Sequence, residues 1–211
     1  MGCAVDDVVA ALRAAAKVID EHRDELVELD RKIGDGDHGE NLQRGFRNFV
    51  TAVDRSTPAT PSAVLKLLAT TLISTVGGAA GPLYGTGFLR AAATIGDAPE
   101  LTAPLVVDAL RGALAGVVAR GKAEAGDKTM VDALIPAVDA AAGALERGAD
   151  IPEILAAAAT GAEEGAAATI PLVARKGRAS YLGQRSAGTQ DPGARSTALL
   201  LRAFADAAAR S

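Results

Sequence analysis

Aromatic residues and sulfur are scarce in this chain. Its 211 residues include no tryptophan, two tyrosines, four phenylalanines and one cysteine. Hydrophobic residues still make up 49% of the chain while aromatics make up 3%. The core must therefore be built from Ala, Leu, Val and Ile, a composition suited to closely packed helices. The lone Cys3 excludes an internal disulfide and fits a reducing compartment. It lies near a terminus with no histidine close by, which argues against a nucleophilic thiol. There is no positive excess either. The net charge of −4 provides no field for nucleic acid, so no nucleic-acid partner is expected. The most apolar stretch, residues 64–89, is interrupted by Lys66, several glycines and Pro82, and does not read as a membrane span. Asp6 and Asp7 stand where a signal peptide would be basic and then apolar. The expectation is a soluble, cytoplasmic protein without a membrane partner.

Helical periodicity fills most of the chain. Val5, Val8, Val9, Leu12, Val18, Ile19, Leu26 and Leu29 follow the three-to-four spacing of a first helix ending near Asp30. Further helices are predicted at about 38–53, from a Ser62 cap to about 76, at 83–95, and at 102–120 with Pro104 in the first turn. Thr129-Met130-Val131-Asp132 resembles a capping box opening a sixth helix. A seventh is predicted at 152–174, and the last from Ala194 to the C-terminus. Eight helices with short links and no strand-like alternation predict an all-α fold. Its architecture is an antiparallel up-and-down bundle or closed barrel, in a single domain over residues 1–211.

One connection is too acidic to be a plain spacer. Leu29-Asp30-Arg31-Lys32-Ile33-Gly34-Asp35-Gly36-Asp37-His38-Gly39-Glu40-Asn41 places Asp30, Asp35 and Asp37 within eight residues, interleaved with glycine. Carboxylates at that density repel one another, and a hard cation resolves the repulsion. Mg²⁺ takes oxygen ligands and is usually held by a few carboxylates together with substrate phosphates. A solvated acidic turn is the bland alternative. A calcium loop is the sharper rival, but Gly39 falls where a third oxygen ligand belongs and Phe46 where the bidentate Glu belongs.

Three other connections are richer than a link requires. Residues 77–85, Gly-Gly-Ala-Ala-Gly-Pro-Leu-Tyr-Gly, sit between two helices and offer free N–H groups at a helix N-terminus. They lack the Gly-Lys-Ser/Thr of a Walker loop, and tight helix packing through glycine is the alternative. Residues 121–130 bring Lys128 and a capping Thr129 that could meet a nucleotide, although alone they make an ordinary connection. Residues 175–195 carry five basic side chains and one acid in an acidic chain. A loop of about twenty residues with little regular pattern tends to be functional. Its alternative is a solvated basic loop. A bundle gathers its connections at its two ends, so these loops together would make a nucleotide site.

The combination of Ile33-Gly34-Asp35-Gly36-Asp37-His38-Gly39, the loop 77–85, the stretch 175–183 and Gln190-Asp191-Pro192-Gly193 resembles the nucleotide-binding subunit of dihydroxyacetone kinase, the DhaL family. The motifs run in the family's order over the full length. The resemblance implies an eight-helix antiparallel barrel with ADP or ATP at one end. It implies two Mg²⁺ ions on Asp30, Asp35 and Asp37, and nucleotide contacts from His38, Gly39, Glu40, Asn41, Ala79, Ala80, Gly121, Met130, Arg178, Asp191, Pro192 and Gly193. Ala80 departs from the Ser the family often carries, removing one hydroxyl contact to phosphate. The implied activity is phosphoryl transfer to dihydroxyacetone held by a separate substrate-binding subunit, with a phosphohistidine carrier of the phosphotransferase system recharging the nucleotide. A homodimer is a further candidate assembly. Two alternatives remain at this level: an ATP-dependent kinase subunit for another short ketose such as a tetrulose, and a regulatory module sensing nucleotide state.

Overall fold

The computed structural model describes residues 2–210, so the first and last positions of the single-domain assignment lie outside it. Among the described residues the chain forms nine α-helices and one 3₁₀ segment. They are α1 (Val5–Glu21), α2 (Arg23–Ile33), α3 (His38–Asp54), α4 (Pro61–Thr75), α5 (Ala80–Ile95), α6 (Ala103–Gly121), α7 (Val131–Glu146), α8 (Ile151–Ala168), the 3₁₀ segment Arg178–Ser186 and α9 (Pro192–Ala208). The predicted first helix is thus two. His22 adopts φ −98° and ψ 10° between them, yet its carbonyl still accepts from Leu26 N–H at 3.0 Å. The pair is one rod with a one-residue break, and eight rods remain.

Neighbours in sequence are neighbours in space, from α1 and α2 against α3 through to α8 against α9. Then α9 packs back on α1 and closes the ring. With short links each rod runs antiparallel to the last. The core is aliphatic as the composition required, with Leu12, Ile19, Leu42, Leu68, Leu72 and Ile154 fully buried around Phe46 and Phe49. Small residues let the rods approach. A Cβ at Gly165 of α8 would stand 2.2 Å from the Asp132 carbonyl of α7, and one at Gly161 2.5 Å from the Pro136 carbonyl. These contacts explain why an Ala- and Gly-rich helix suits this position.

Several boundaries differ from the sequence expectation. The cap of α4 is Thr60, whose side chain accepts from Ala63 N–H, with Pro61 at the first helical position. Ser62 is instead fully buried and donates to the Ala92 carbonyl of α5 at 2.9 Å. Its hydroxyl ties two helices together, which local sequence does not reveal. Helix α8 ends at Ala168, six residues before the predicted end, because Thr169 turns the chain and its hydroxyl donates to the Ala166 carbonyl. The capping box at α7 is half formed. Thr129 N–H donates to Asp132 Oδ2 at 2.8 Å, but Thr129 Oγ1 accepts from Val131 N–H rather than from Asp132.

Alternation sorts the connections. Links after α2, α4, α6 and α8 fall at one end of an up-and-down barrel, and links after α3, α5 and α7 at the other. The four unusual segments of the sequence are the four links of the first set. The second end carries plain turns and an isolated bridge between Cys3 and Leu101.

Candidate nucleotide and metal site

The metal loop is shaped by Asp30, the last but three residue of α2. Asp30 Oδ2 accepts from the N–H groups of Asp37 at 2.9 Å and His38 at 3.2 Å, which folds the loop back over the end of its own helix. Asp30 is 9% exposed. Burial pushes its carboxyl above the ordinary value, helped by the charges of Asp35 and Asp37 and opposed by those two N–H groups. A Cβ at Gly34 would stand 2.1 Å from Asp30 Oδ1, so only glycine leaves room for that oxygen. Carboxylate oxygens of Asp30, Asp35 and Asp37 all lie within 4.8 Å of one another. Three acidic oxygens at that spacing, one of them fixed by backbone donors, fit a hard divalent cation.

Around this cluster the four links enclose a cavity of about 540 Å³, within the range of small-molecule sites. Asp30, Asp35, Asp37 and His38 form one wall, with Gly77 to Ala80 beside them. Across the ring, the ends of α5 and α6 and the start of α7 offer Leu83, Val117, Ala123, Met130 and Val131. The lining therefore combines a carboxylate cluster, the cationic Arg120, Lys176 and Arg178, and a group of aliphatic side chains. A nucleoside diphosphate fits that combination, given a metal between its phosphates and the carboxylates.

The glycines of residues 77–85 divide between the two roles weighed for them. Gly78 has φ +64° and open space where a Cβ would be, so backbone there can meet a ligand. Gly81 and Gly85 instead sit in α5 against the Val76 carbonyl and the Ile73 side chain of α4, at 2.3 Å for an added Cβ in each case. Close helix packing accounts for Gly81 and Gly85, while Gly78 stands open on the cavity wall.

Of the sequence-predicted contacts, His38, Ala79, Ala80, Gly121, Thr129, Met130, Arg178, Asp191, Pro192 and Gly193 line the cavity. Gly39, Glu40 and Asn41 do not. Gly39 is pressed on α2, where a Cβ would stand 2.2 Å from the Arg23 carbonyl. Glu40 pairs with Arg23 at 2.6 Å on the outer surface. Asn41 is buried beside Gly77 and accepts from Arg44. The helical turn points these three residues away from the cavity, and Asn41 N–H is taken by the Asp37 carbonyl at 2.9 Å. Lys128 also differs from expectation. It is 1% exposed, and its ammonium donates to the carbonyls of Thr169 at 2.6 Å, Thr189 at 2.5 Å and Ile170 at 3.4 Å. Burial pushes its pKa down, against the pull of Asp191 and Asp132. It binds the α6–α7 link to both ends of the α8–α9 link, and these carbonyls take its three donors.

That basic segment is an anchored strap. Ser186 is fully buried, accepts from Ala174 N–H at 2.9 Å and donates to the Gly183 carbonyl at 2.7 Å. Arg175 reaches Asp127 through its backbone N–H at 3.0 Å and its side chain at 3.1 Å. Three residues on, the strap reaches the acidic loop, where Arg178 Nη2 lies 3.0 Å from Asp35 Oδ2. At the strap's exit Asp191 caps α9, accepting from Ala194 N–H at 2.7 Å ahead of Pro192 at the first helical position. Burial pushes the Asp191 carboxyl up to about 7, partly offset by its N–H donors and Lys128.

Sequence reasoning missed the floor of the site. His38 Nε2 meets Ser196 Oγ at 2.9 Å, and Ser196 meets the Tyr84 hydroxyl at 2.6 Å. Burial of the His38 ring pushes its pKa down to about 4, and burial of Tyr84 pushes its own up to about 12. Tyr84 stood inside the glycine-rich stretch, and Ser196-Thr197 interrupts the apolar face of α9; those were the available signals.

Known proteins resemble this chain closely. The DAK2 domain family matches residues 32–206. A relative in Escherichia coli (strain K12), the PEP-dependent dihydroxyacetone kinase ADP-binding subunit DhaL, is 42% identical over 201 residues, covering 95% of this chain and 96% of the relative. In Lactococcus lactis subsp. lactis the PTS-dependent dihydroxyacetone kinase ADP-binding subunit DhaL is 37% identical, covering 97% of this chain and 98% of the relative. The crystal structure of the dihydroxyacetone kinase from C. freundii in complex with AMP-PNP and Mg²⁺ superposes with a TM-score of 0.72 and 27% identity. It covers 98% of this chain, which spans about a third of that longer protein.

Proposed function

The chain belongs to the DAK2 domain family, and from that premise we propose that it is the ADP/ATP-binding subunit of a dihydroxyacetone kinase, acting in the cytoplasm. A separate subunit holds dihydroxyacetone, and a phosphohistidine carrier of the phosphotransferase system restores the nucleotide. The observation that carries this is the triad Asp30, Asp35 and Asp37 within 4.8 Å, set in the wall of a cavity that also presents Leu83, Val117, Met130 and Val131. Matches that span nearly the whole of two subunits favour the two-component arrangement. Among the described residues no helix is long and apolar enough to cross a membrane.

The residues divide the work. Asp30, Asp35 and Asp37 would hold two Mg²⁺, which when bound neutralise phosphate charge and orient the transferring group. Backbone N–H groups around Gly78 and Ala79 face the phosphates, and the absent hydroxyl at Ala80 leaves that contact to backbone alone. Leu83, Val117 and Met130 receive the base, and the Asp191-Pro192-Gly193 turn closes the nucleoside side. Calorimetric titration with ADP tests the reading: binding in Mg²⁺ and its loss in excess EDTA are expected, and equal affinity in both would overturn the metal-dependent site.

Arg178 tests the strap. Its guanidinium reaches Asp35 and is placed to meet phosphate once the carboxylates carry metal. Arg178→Ala should raise the ADP off-rate roughly tenfold. Thermal stability without nucleotide should hardly move, because an exposed ion pair contributes about 0–1 kcal/mol. Stopped-flow release of a fluorescent ADP analogue reads the first quantity; a wild-type off-rate would remove Arg178 from the site.

A further inference from the structure

Beneath the cavity lies a group of hydroxyls that the nucleotide contacts do not include. Tyr84 on α5 is 6% exposed, and Ser196 and Thr197 on α9 are 0% and 2% exposed. The Tyr84 hydroxyl lies 2.6 Å from Ser196 Oγ, 3.0 Å from Thr197 Oγ1 and 3.3 Å from the Gly193 carbonyl. Ser196 and Thr197 reach that same carbonyl at 3.0 and 2.8 Å. Ser196 also meets His38 Nε2 on α3 at 2.9 Å.

Back-bonding of helical Ser and Thr to a carbonyl one turn earlier is common and local. Ser196 goes further. It serves partners on two other helices, 112 and 158 residues away in sequence. A hydroxyl has one proton and two lone pairs. If Ser196 gives its proton to the Gly193 carbonyl, its two lone pairs accept from the Tyr84 hydroxyl and from His38 Nε2–H, and its hydrogen-bonding capacity is then full. The His38 ring cannot turn without leaving a buried polar atom short of a partner. The Gly193 carbonyl is held by the same set, and Gly193 belongs to the turn at the nucleoside side of the cavity.

We propose that Tyr84, Ser196 and Thr197 are positioning residues. Their shared hydroxyls fix the His38 ring in one tautomer and lock the Gly193 turn to it, holding the first turns of α3, α5 and α9 in register for the nucleotide. The proposal rests on the nucleotide reading of the cavity for its functional half. Its structural half, the fixed ring, does not. Helix α5 carries the glycine-rich loop, α3 the metal loop and α9 the strap's exit, so one small network sets three of the four links that build the site.

The chain has two histidines, so ring-¹⁵N spectra of the nucleotide-free protein assign readily, with His22→Gln as the control. Wild type should show His38 as a single tautomer, with two widely separated ring-nitrogen resonances. In Ser196→Ala the resonances should move toward averaged positions. The Mg·ADP dissociation constant should rise about tenfold, the scale of removing an outer partner of a ligand-contacting group. Ser196→Thr keeps the hydroxyl and should restore both. An unchanged His38 spectrum in Ser196→Ala overturns the proposal. So does an affinity within twofold of wild type, or a failure of Ser196→Thr to restore either readout. If Ser196→Ala does not fold, Tyr84→Phe takes its place: a shifted His38 spectrum with a tenfold weaker affinity is expected, and no change in either overturns the proposal. Wild-type protein that binds no Mg·ADP would instead sink the nucleotide reading, while the spectra still decide whether the ring is fixed.

Discussion

Asp37→Asn should raise the Mg·ADP dissociation constant about 100-fold, or ~2.8 kcal/mol, in a protein that remains helical. Asp37 is the cleanest of the three carboxylates to remove. Asp30 Oδ2 also accepts two backbone N–H groups, so changing it disturbs the loop. Asp35 also meets Arg178, so changing it disturbs the strap. Asp37 caps its helix only through backbone, with no side-chain bond to the first turn of α3. Its carboxylate therefore contributes charge to the cluster and little to the fold. Two like charges at about 4.8 Å cost about 1 kcal/mol in water, so the metal-free variant should be as stable as wild type or slightly more so. Calorimetry with Mg·ADP and thermal melts in EDTA measure the two effects. Wild-type affinity in Asp37→Asn would refute the metal site, and a collapsed melt would show that the carboxylate is structural.

The second large effect is an absence of turnover. The purified chain should show no kinase activity on free dihydroxyacetone above the buffer rate. Adding the dihydroxyacetone-binding subunit and a phosphoryl source should raise the rate by at least about 10³-fold, since positioning of the acceptor is a large part of such catalysis. Neither histidine is available to anchor a substrate. His22 sits at the break between α1 and α2, pairs with Glu25 and is not among the residues that line the cavity. His38 commits Nε2 to Ser196 beneath the site. The cavity is filled in this reading by nucleotide and metal, which leaves the acceptor to arrive on another protein. A coupled assay settles it, and robust turnover by the isolated chain would mean that a substrate site exists within the barrel.

The two predictions differ in which part of the chain they test. On the proposed function, Asp37→Asn changes nucleotide binding and the missing subunit changes only phosphoryl transfer. Measuring nucleotide affinity and turnover on the same preparations separates them.

The sequence by itself determined the acidic loop, the helical class and the number of rods. Asp30, Asp35 and Asp37 lie within eight residues, so their repulsion is a local fact that no tertiary arrangement removes. Helical periodicity over 15 to 19 residues is likewise local. Even the gathering of four special links at one end follows from counting, since alternate links of an up-and-down barrel share an end. The tertiary structure decided which polar side chains face the cavity and which hold the barrel. Ser62 reads as a cap in sequence, but it bonds a carbonyl thirty residues away. Lys128 reads in sequence as a residue that could meet a nucleotide, but three carbonyls from the α8–α9 link occupy its ammonium. Glu40 and Asn41 belong to the metal motif in sequence, yet a helix sends them to other faces. Tyr84, Ser196 and Thr197 gave only weak local signals, a tyrosine among glycines and a polar pair on an apolar face, because their partners lie on helices that meet only after the ring closes. Hydrogen-bond partners of buried polar groups are set by which helices touch, and that is a property of the packed barrel.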